Sequence, residues 1–261
     1  MKSIRRGFTL IEVALFLAIT GALFVGIALG VQNSMFQQRY NDSVQSFAEF
    51  LRSTYSQVSN VQNSNASNGR SGQAIYGRLI VFGEERTLDD ERNSDNAIYS
   101  YAVIGDADTT FPSGNALDAL RALGLTVFDS AGQLAGNYEE YKPRWTASIQ
   151  TTDSDTTKFV GAILIARHPR SGTIFTFAYQ ADALPDDLEI NQMTTSETKA
   201  NLSLDGFENS EVNFCINPNG DQPSDARRNV RIIANARNAS GVEVIDLDAP
   251  REDGGNQCNG S

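Results

Sequence analysis

The chain has 261 residues, 40% of them hydrophobic, and a formal charge of −11. That length suffices for one domain with a sizeable core, and the acidic balance disfavours nonspecific adhesion to nucleic acid or anionic lipid. A single histidine (His168) and two cysteines (Cys215, Cys258) leave no Cys/His metal spacing, and there is no Gly-rich phosphate loop.

Chemistry-bearing features begin at the N-terminus. Lys2, Arg5 and Arg6 form a basic head that ends in Gly7. Phe8-Thr9-Leu10-Ile11-Glu12-Val13 follows and opens an apolar run to Val31 in which Glu12 is the only ionisable side chain. As a helix, the run from Leu10 to Val31 spans about 33 Å, the thickness of a bilayer core. A carboxylate carried to the centre of such a segment costs about 2.5–3.5 kcal/mol, so Glu12 reads as functional and calls for a partner. The basic head stays cytoplasmic, which exports everything after Val31. A secretory signal peptide does not fit, because the apolar run is too long and no Ala-x-Ala follows it before Gln32.

Beyond the apolar run, residues 33–60 contain neither Gly nor Pro. Phe36, Tyr40, Val44, Phe47, Leu51, Tyr55 and Val58 recur every three or four positions, the stripe of an amphipathic helix. The expectation is one helix from Phe8 to near Val61. A polar loop over 60–72 follows. Strands are then expected over 74–82, 97–104, 146–151, 159–166, 173–179, 211–216, 229–234 and 242–245. A short helix over 115–123 closes at Gly124, and His168 to Gly172 forms a hairpin turn. The stretches 83–96 and 183–199 read as surface loops. Strands after one long helix imply an α+β domain, with an antiparallel sheet laid on the helix.

Arg6-Gly7-Phe8-Thr9-Leu10-Ile11-Glu12-Val13, with Gly21 further along, resembles the N-terminus of type IV prepilins and type II secretion pseudopilins. The resemblance covers about thirty residues strongly and the rest only in outline. It implies a leader (1–7), cleavage by a prepilin peptidase between Gly7 and Phe8, and methylation of the new amine on Phe8. It implies residues 8–31 as the transmembrane and assembly half of the helix, and 32–261 as an exported pilin-like domain. Glu12, the fifth mature residue, would serve filament assembly. Where the family often has proline this chain has Leu29, flanked by Gly26 and Gly30. The segments around Cys215, Arg227–Ile233 and Gly241–Val244 are loosely similar to the GspH/FimT class of minor pilins and pseudopilins.

An exported chain with two cysteines points to a disulfide, and the resemblance places a C-terminal bridge at Cys215 and Cys258. The basic group Arg227, Arg228, Arg231 and Arg237 has two readings. These are DNA capture, as in some FimT-like minor pilins, and strand-edge charges that deter aggregation. His168, before Pro169, reads as a turn residue. The acidic pairs Asp106/Asp108, Asp153/Asp155 and Asp186/Asp187, and the group Asp246/Asp248/Asp253, lack a calcium-loop pattern and read as solvated surface. The expectation is a structural subunit of a surface filament. It is not an enzyme and holds no cofactor or metal. Its partners are the peptidase, other pilin subunits, the assembly platform and the membrane. The alternatives are a secretion pseudopilin, a DNA-capturing minor pilin, and a tethered domain that never polymerises.

Overall fold

The computed structural model describes residues 9–60, 73–82, 98–106, 115–127, 138–153, 159–181, 202, 204–217 and 228–246. The expected loops over 61–72, 83–96 and 183–199 lie outside them. The fold is α+β, with one long N-terminal helix and antiparallel sheets. Two compact units divide the chain, residues 1–42 and 43–261.

Helix α1 (Leu10–Ser59) lies within the span expected from Phe8 to near Val61, and Gly26 and Gly30 do not interrupt it. In the first unit its large apolar side chains from Leu10 to Val31 are exposed. In the second unit Val44, Phe47, Leu51, Tyr55 and Val58 are buried, as the stripe requires.

The remaining elements belong to the second unit. They are β1 (Gln73–Phe82), β2 (Ile98–Asp106), α2 (Ala116–Ala122), β3 (Glu139–Tyr141), β4 (Ser148–Asp153), β5 (Phe159–Arg167) and β6 (Ile174–Ala181). After these come β7 (Phe207–Glu208), β8 (Val212–Asn217), β9 (Arg228–Ile232) and β10 (Val242–Asp246). Where the sequence reading expected one sheet, there are two, ordered β3-β2-β1-β5-β6-β7 and β10-β9-β8-β4. All pairings within them are antiparallel. β1 bulges at Gly77, where an added Cβ would meet the carbonyl oxygen of Ile165 and, at 2.8 Å, the Cα of Ala166. Only glycine allows β1 and β5 to approach this closely.

Alternation along the strands sorts the large sheet into two apolar faces. Leu79, Val81, Tyr101, Val103, Leu164 and Phe177 join Leu120 and Leu123 of α2, with Leu125, Leu202 and Phe207, in one cluster. The opposite face takes the Ser43–Ser59 part of α1. There Tyr55 meets Thr176 of β6, and Phe47 stands edge-on to Phe214 of β8 at 5.0 Å between ring centroids. Arg52 donates to the Val242 carbonyl at 3.0 Å. The helix thus contacts both sheets, and each fully buried large apolar side chain contributes about 1.5–3 kcal/mol. One buried polar chain links α1, β6 and the turn after β9. Thr176 Oγ1 donates to the Ala236 carbonyl at 3.0 Å, so its oxygen accepts from the Tyr55 hydroxyl at 2.6 Å. Burial raises the Tyr55 phenol well above its ordinary value, and the bond to Thr176 offsets this only in part.

α2 is capped as its sequence predicts. Asn115 accepts from the Asp118 N–H at 2.9 Å, and Gly124 takes the left-handed conformation just past the helix (φ 55°). Most strand boundaries shift by one or two residues from expectation, and turns account for two of the shifts. β4 starts at Ser148 because Arg144–Thr146 forms a tight turn, with Trp145 at φ 58°. β9 ends at Ile232 because a turn through Asn235 (φ 62°) follows, closed by Ile233 N–H on the Gly241 carbonyl. Strands β3 and β7 were not anticipated. They have three and two residues, too short to show a period of two.

Candidate functional site

Gly7 and Phe8 lie outside the described residues, which begin at Thr9. Thr9 stands just before α1. Its N–H and hydroxyl both donate to Glu12 Oε2, at 2.9 and 3.0 Å, and the Glu12 N–H donates back to Thr9 Oγ1 at 3.4 Å. This is a capping box, in which a threonine and the glutamate three residues later satisfy each other's backbone donors. It gives the carboxylate a partner within its own chain. Thr9 was not among the anticipated site residues, although the pattern Thr-x-x-Glu stands in the sequence.

Downstream of the box, α1 is long and apolar enough to cross a membrane, and the most apolar part is not buried against protein. Leu10, Ile11, Phe16, Leu17, Leu23, Phe24 and Ile27 are each more than half exposed. Thr20, the one hydroxyl between Leu10 and Val31, turns its Oγ1 back to the Phe16 and Leu17 carbonyls at 2.9 and 3.1 Å. Both side-chain polar groups of the run, those of Glu12 and Thr20, are thus satisfied locally, which suits an apolar surrounding.

Cys215 is buried on β8, and among the described residues no free thiol occurs. Cys258 lies outside those residues.

Among the described residues, the arginines of this group do not form one patch. Arg228 and Arg231 both belong to β9, but three residues apart on a strand they project from opposite faces. Arg231 donates to Glu243 Oε2 at 2.6 Å and pairs with Glu211 at 3.6 Å, tying β9 to β10 and to the start of β8. Partial burial pulls its guanidinium down, but those two carboxylates outweigh this and the net direction is up. Arg237 lies over the Phe175 ring at 6.0 Å from its centroid, and Arg227 falls outside the described residues.

His168 closes the β5–β6 turn. Its Nδ1 accepts from the backbone N–H groups of Arg170 and Ser171 at 3.3 and 3.2 Å, and the backbone N–H of His168 donates to the Thr173 carbonyl at 2.8 Å. That is the turn role expected for it. Asp108, Asp155, Asp186, Asp187, Asp248 and Asp253 lie outside the described residues. Among the described residues no three His, Cys, Asp or Glu side chains are grouped to hold a metal ion.

Comparison with known protein families, with curated proteins and with solved structures finds no match to this chain.

Proposed function

We propose that this chain is a subunit of a surface filament of the type IV pilus kind, and that its role is assembly rather than catalysis. The observation that carries this reading is α1 itself. One unbroken helix of 50 residues begins in a capping box on Glu12 and keeps its apolar side chains exposed from Leu10 to Val31, and its last part from Ser43 is built into the domain. An exposed apolar helix face needs either lipid or other such helices around it. A single-pass state in the cytoplasmic membrane before assembly and a helical bundle after it meet that need in turn. The basic head and Gly7 supply the processing signal, and Phe8 becomes the mature N-terminus. A bridge between Cys215 and Cys258 belongs to the same proposal. It is supported by an exported location and by the absence of a free thiol among the described residues.

Mass spectrometry of sheared surface filaments tests the reading. The expected result is this chain in the fibres, beginning at an N-methylated Phe8, with the precursor retained in the membrane when Gly7 is replaced by a bulky residue. The intact Met1 peptide in surface-located protein refutes the processing step. Absence from fibres, with presence in the membrane of a secreting cell, assigns the chain to a secretion pseudopilus or to a tethered domain.

A further inference from the structure

Two independent paths through the second unit lead to the same end of the domain. The first follows β3. Gln57 donates to Glu139 at 3.0 Å, and two residues later Tyr141 donates to Ser46 at 3.4 Å while its ring stacks on Phe50. From Glu139 to Tyr141 the chain therefore travels from the end of α1 back towards Ser43. Lys142, Pro143, Arg144 and Trp145 come next.

The second path follows the small sheet. Val212, Ile232 and Val242 form one row across β8, β9 and β10, and Val242 is held by Arg52. Phe214, two residues on and on the same face, packs on Phe47. The row two residues further, Ile216, Arg228 and Asp246, continues towards Ser43, and Asn217 pairs with Ser148 beside it. Ser148 follows Trp145 by three residues, so Lys142, Arg144, Trp145 and Arg228 share this end. It is the end at which α1 enters this unit, at Ser43.

Trp145 is the sole tryptophan of the chain. It is 52% exposed. Its backbone is left-handed (φ 58°), a conformation that bulky residues rarely adopt. Neither core packing nor backbone preference accounts for tryptophan here. An exposed indole beside basic side chains is the composition that partitions to the headgroup layer of a bilayer.

We propose that Trp145, with Lys142 and Arg144 beside it in the chain and Arg228 on the same end, is an interfacial anchor that seats this end of the domain on an anionic lipid surface before assembly. The net charge of the domain opposes general adhesion, so the contact is local. Among the described acidic residues on this end, Glu140 pairs with Lys142 at 3.4 Å and Asp246 stands opposite Arg228 in the β9–β10 register. The proposal rests on the reading of Leu10–Val31 as membrane-spanning, and the test separates the two.

The single tryptophan makes the wild-type chain its own probe. The full chain is reconstituted into phosphatidylcholine vesicles with and without phosphatidylglycerol, checked by flotation, and its emission is read with headgroup spin-labelled lipid and with acrylamide. The expected result is flotation in both, with lipid quenching of about half the emission in phosphatidylglycerol vesicles. Lys142→Glu with Arg144→Glu lowers that quenching at least about twofold, and high salt does the same. Flotation with an emission open to acrylamide and untouched by the lipid label overturns the anchor and leaves the membrane reading standing. Quenching that survives the charge reversal also overturns the anchor, since the basic residues are then not part of it. Failure to float overturns both.

Discussion

Removing the Thr176 hydroxyl tests whether the buried polar chain fixes the helix between the two sheets. Thr176→Val keeps the shape but leaves the Tyr55 hydroxyl and the Ala236 carbonyl without the partner each has at 2.6 and 3.0 Å. Two buried groups stripped of a partner cost about 1–3 kcal/mol each, less whatever the structure relaxes, so a loss of about 3 kcal/mol is expected. Tyr55→Phe is milder, about 1 kcal/mol, because Thr176 still donates to Ala236. In the double variant only the Ala236 carbonyl is orphaned, and the total loss falls below the sum of the two by about 2 kcal/mol. Urea unfolding of the full chain in non-ionic detergent, followed by near-ultraviolet circular dichroism, measures all four corners of the cycle. Additivity within about 0.5 kcal/mol refutes the coupling. An alkaline arm gives an independent reading. Burial raises the Tyr55 pKa in the folded state, so above about pH 10 the unfolded chain releases a proton that the folded chain keeps. The stability tied to this group is full below pH 10 and is lost as pH rises further, at up to about 1.4 kcal/mol per pH unit. Tyr55→Phe removes that slope. A wild-type and a Tyr55→Phe chain that lose stability in parallel between pH 9 and 11 refute the buried phenol.

Non-reducing peptide mapping should join Cys215 to Cys258, and Cys215→Ser should lower stability by up to about 4 kcal/mol, whereas two free thiols in protein from the native host dismiss the bridge. Arg231→Ala should cost about 1 kcal/mol in thermal unfolding, given the half-exposed carboxylate of Glu243. Duplex DNA should bind only weakly at physiological salt. Salt-sensitive binding tighter than about 10 micromolar, lost on Arg228→Ala, would favour DNA capture instead. Glu12→Ala should preserve membrane insertion and cleavage and reduce incorporation into sheared fibres, and wild-type levels in the fibres would end the assembly role assigned to Glu12.

Long periodic elements were legible because their burial is one-sided. The α1 stripe from Val44 to Val58 and the runs of β1, β5 and β6 each carry enough residues for the period to show. What stayed hidden depends on partners far away in sequence. Nothing in Glu139-Glu140-Tyr141 announces a strand, and it becomes one only because β2 offers an edge to it. The split into two sheets is likewise a tertiary outcome, since β4 pairs with β8 some sixty residues on while β5, its neighbour in the chain, joins β1 and β6. The arginine group shows the same limit from the other side. Arg227, Arg228 and Arg231 crowd together in the sequence, but the pleat separates Arg228 from Arg231, and Glu243 claims Arg231 across a strand pair. Trp145 could not be placed at all, because its exposure and left-handed backbone follow from a turn that the expected strand over 146–151 overlapped.

The Thr9 box changes what the assembly step must accomplish. A carboxylate entering an apolar run calls for a partner. In this chain two neutral donors of Thr9 satisfy Glu12, at a helix N-terminus whose dipole already favours an anion. On the filament reading, cleavage then creates an ammonium at Phe8, the residue before Thr9. An ammonium is a stronger donor to a carboxylate than a hydroxyl or an amide, most of all where water is excluded. The charged pair therefore has to win against bonds worth about 1 kcal/mol each, not against an unpartnered acid. Selection among neighbouring subunits rests on that difference, and a subunit whose amine is out of reach leaves Glu12 in its box at little cost. On that reading the box would let the uncleaved chain wait in the membrane, and the amine would make one axial placement of the next subunit better than the rest.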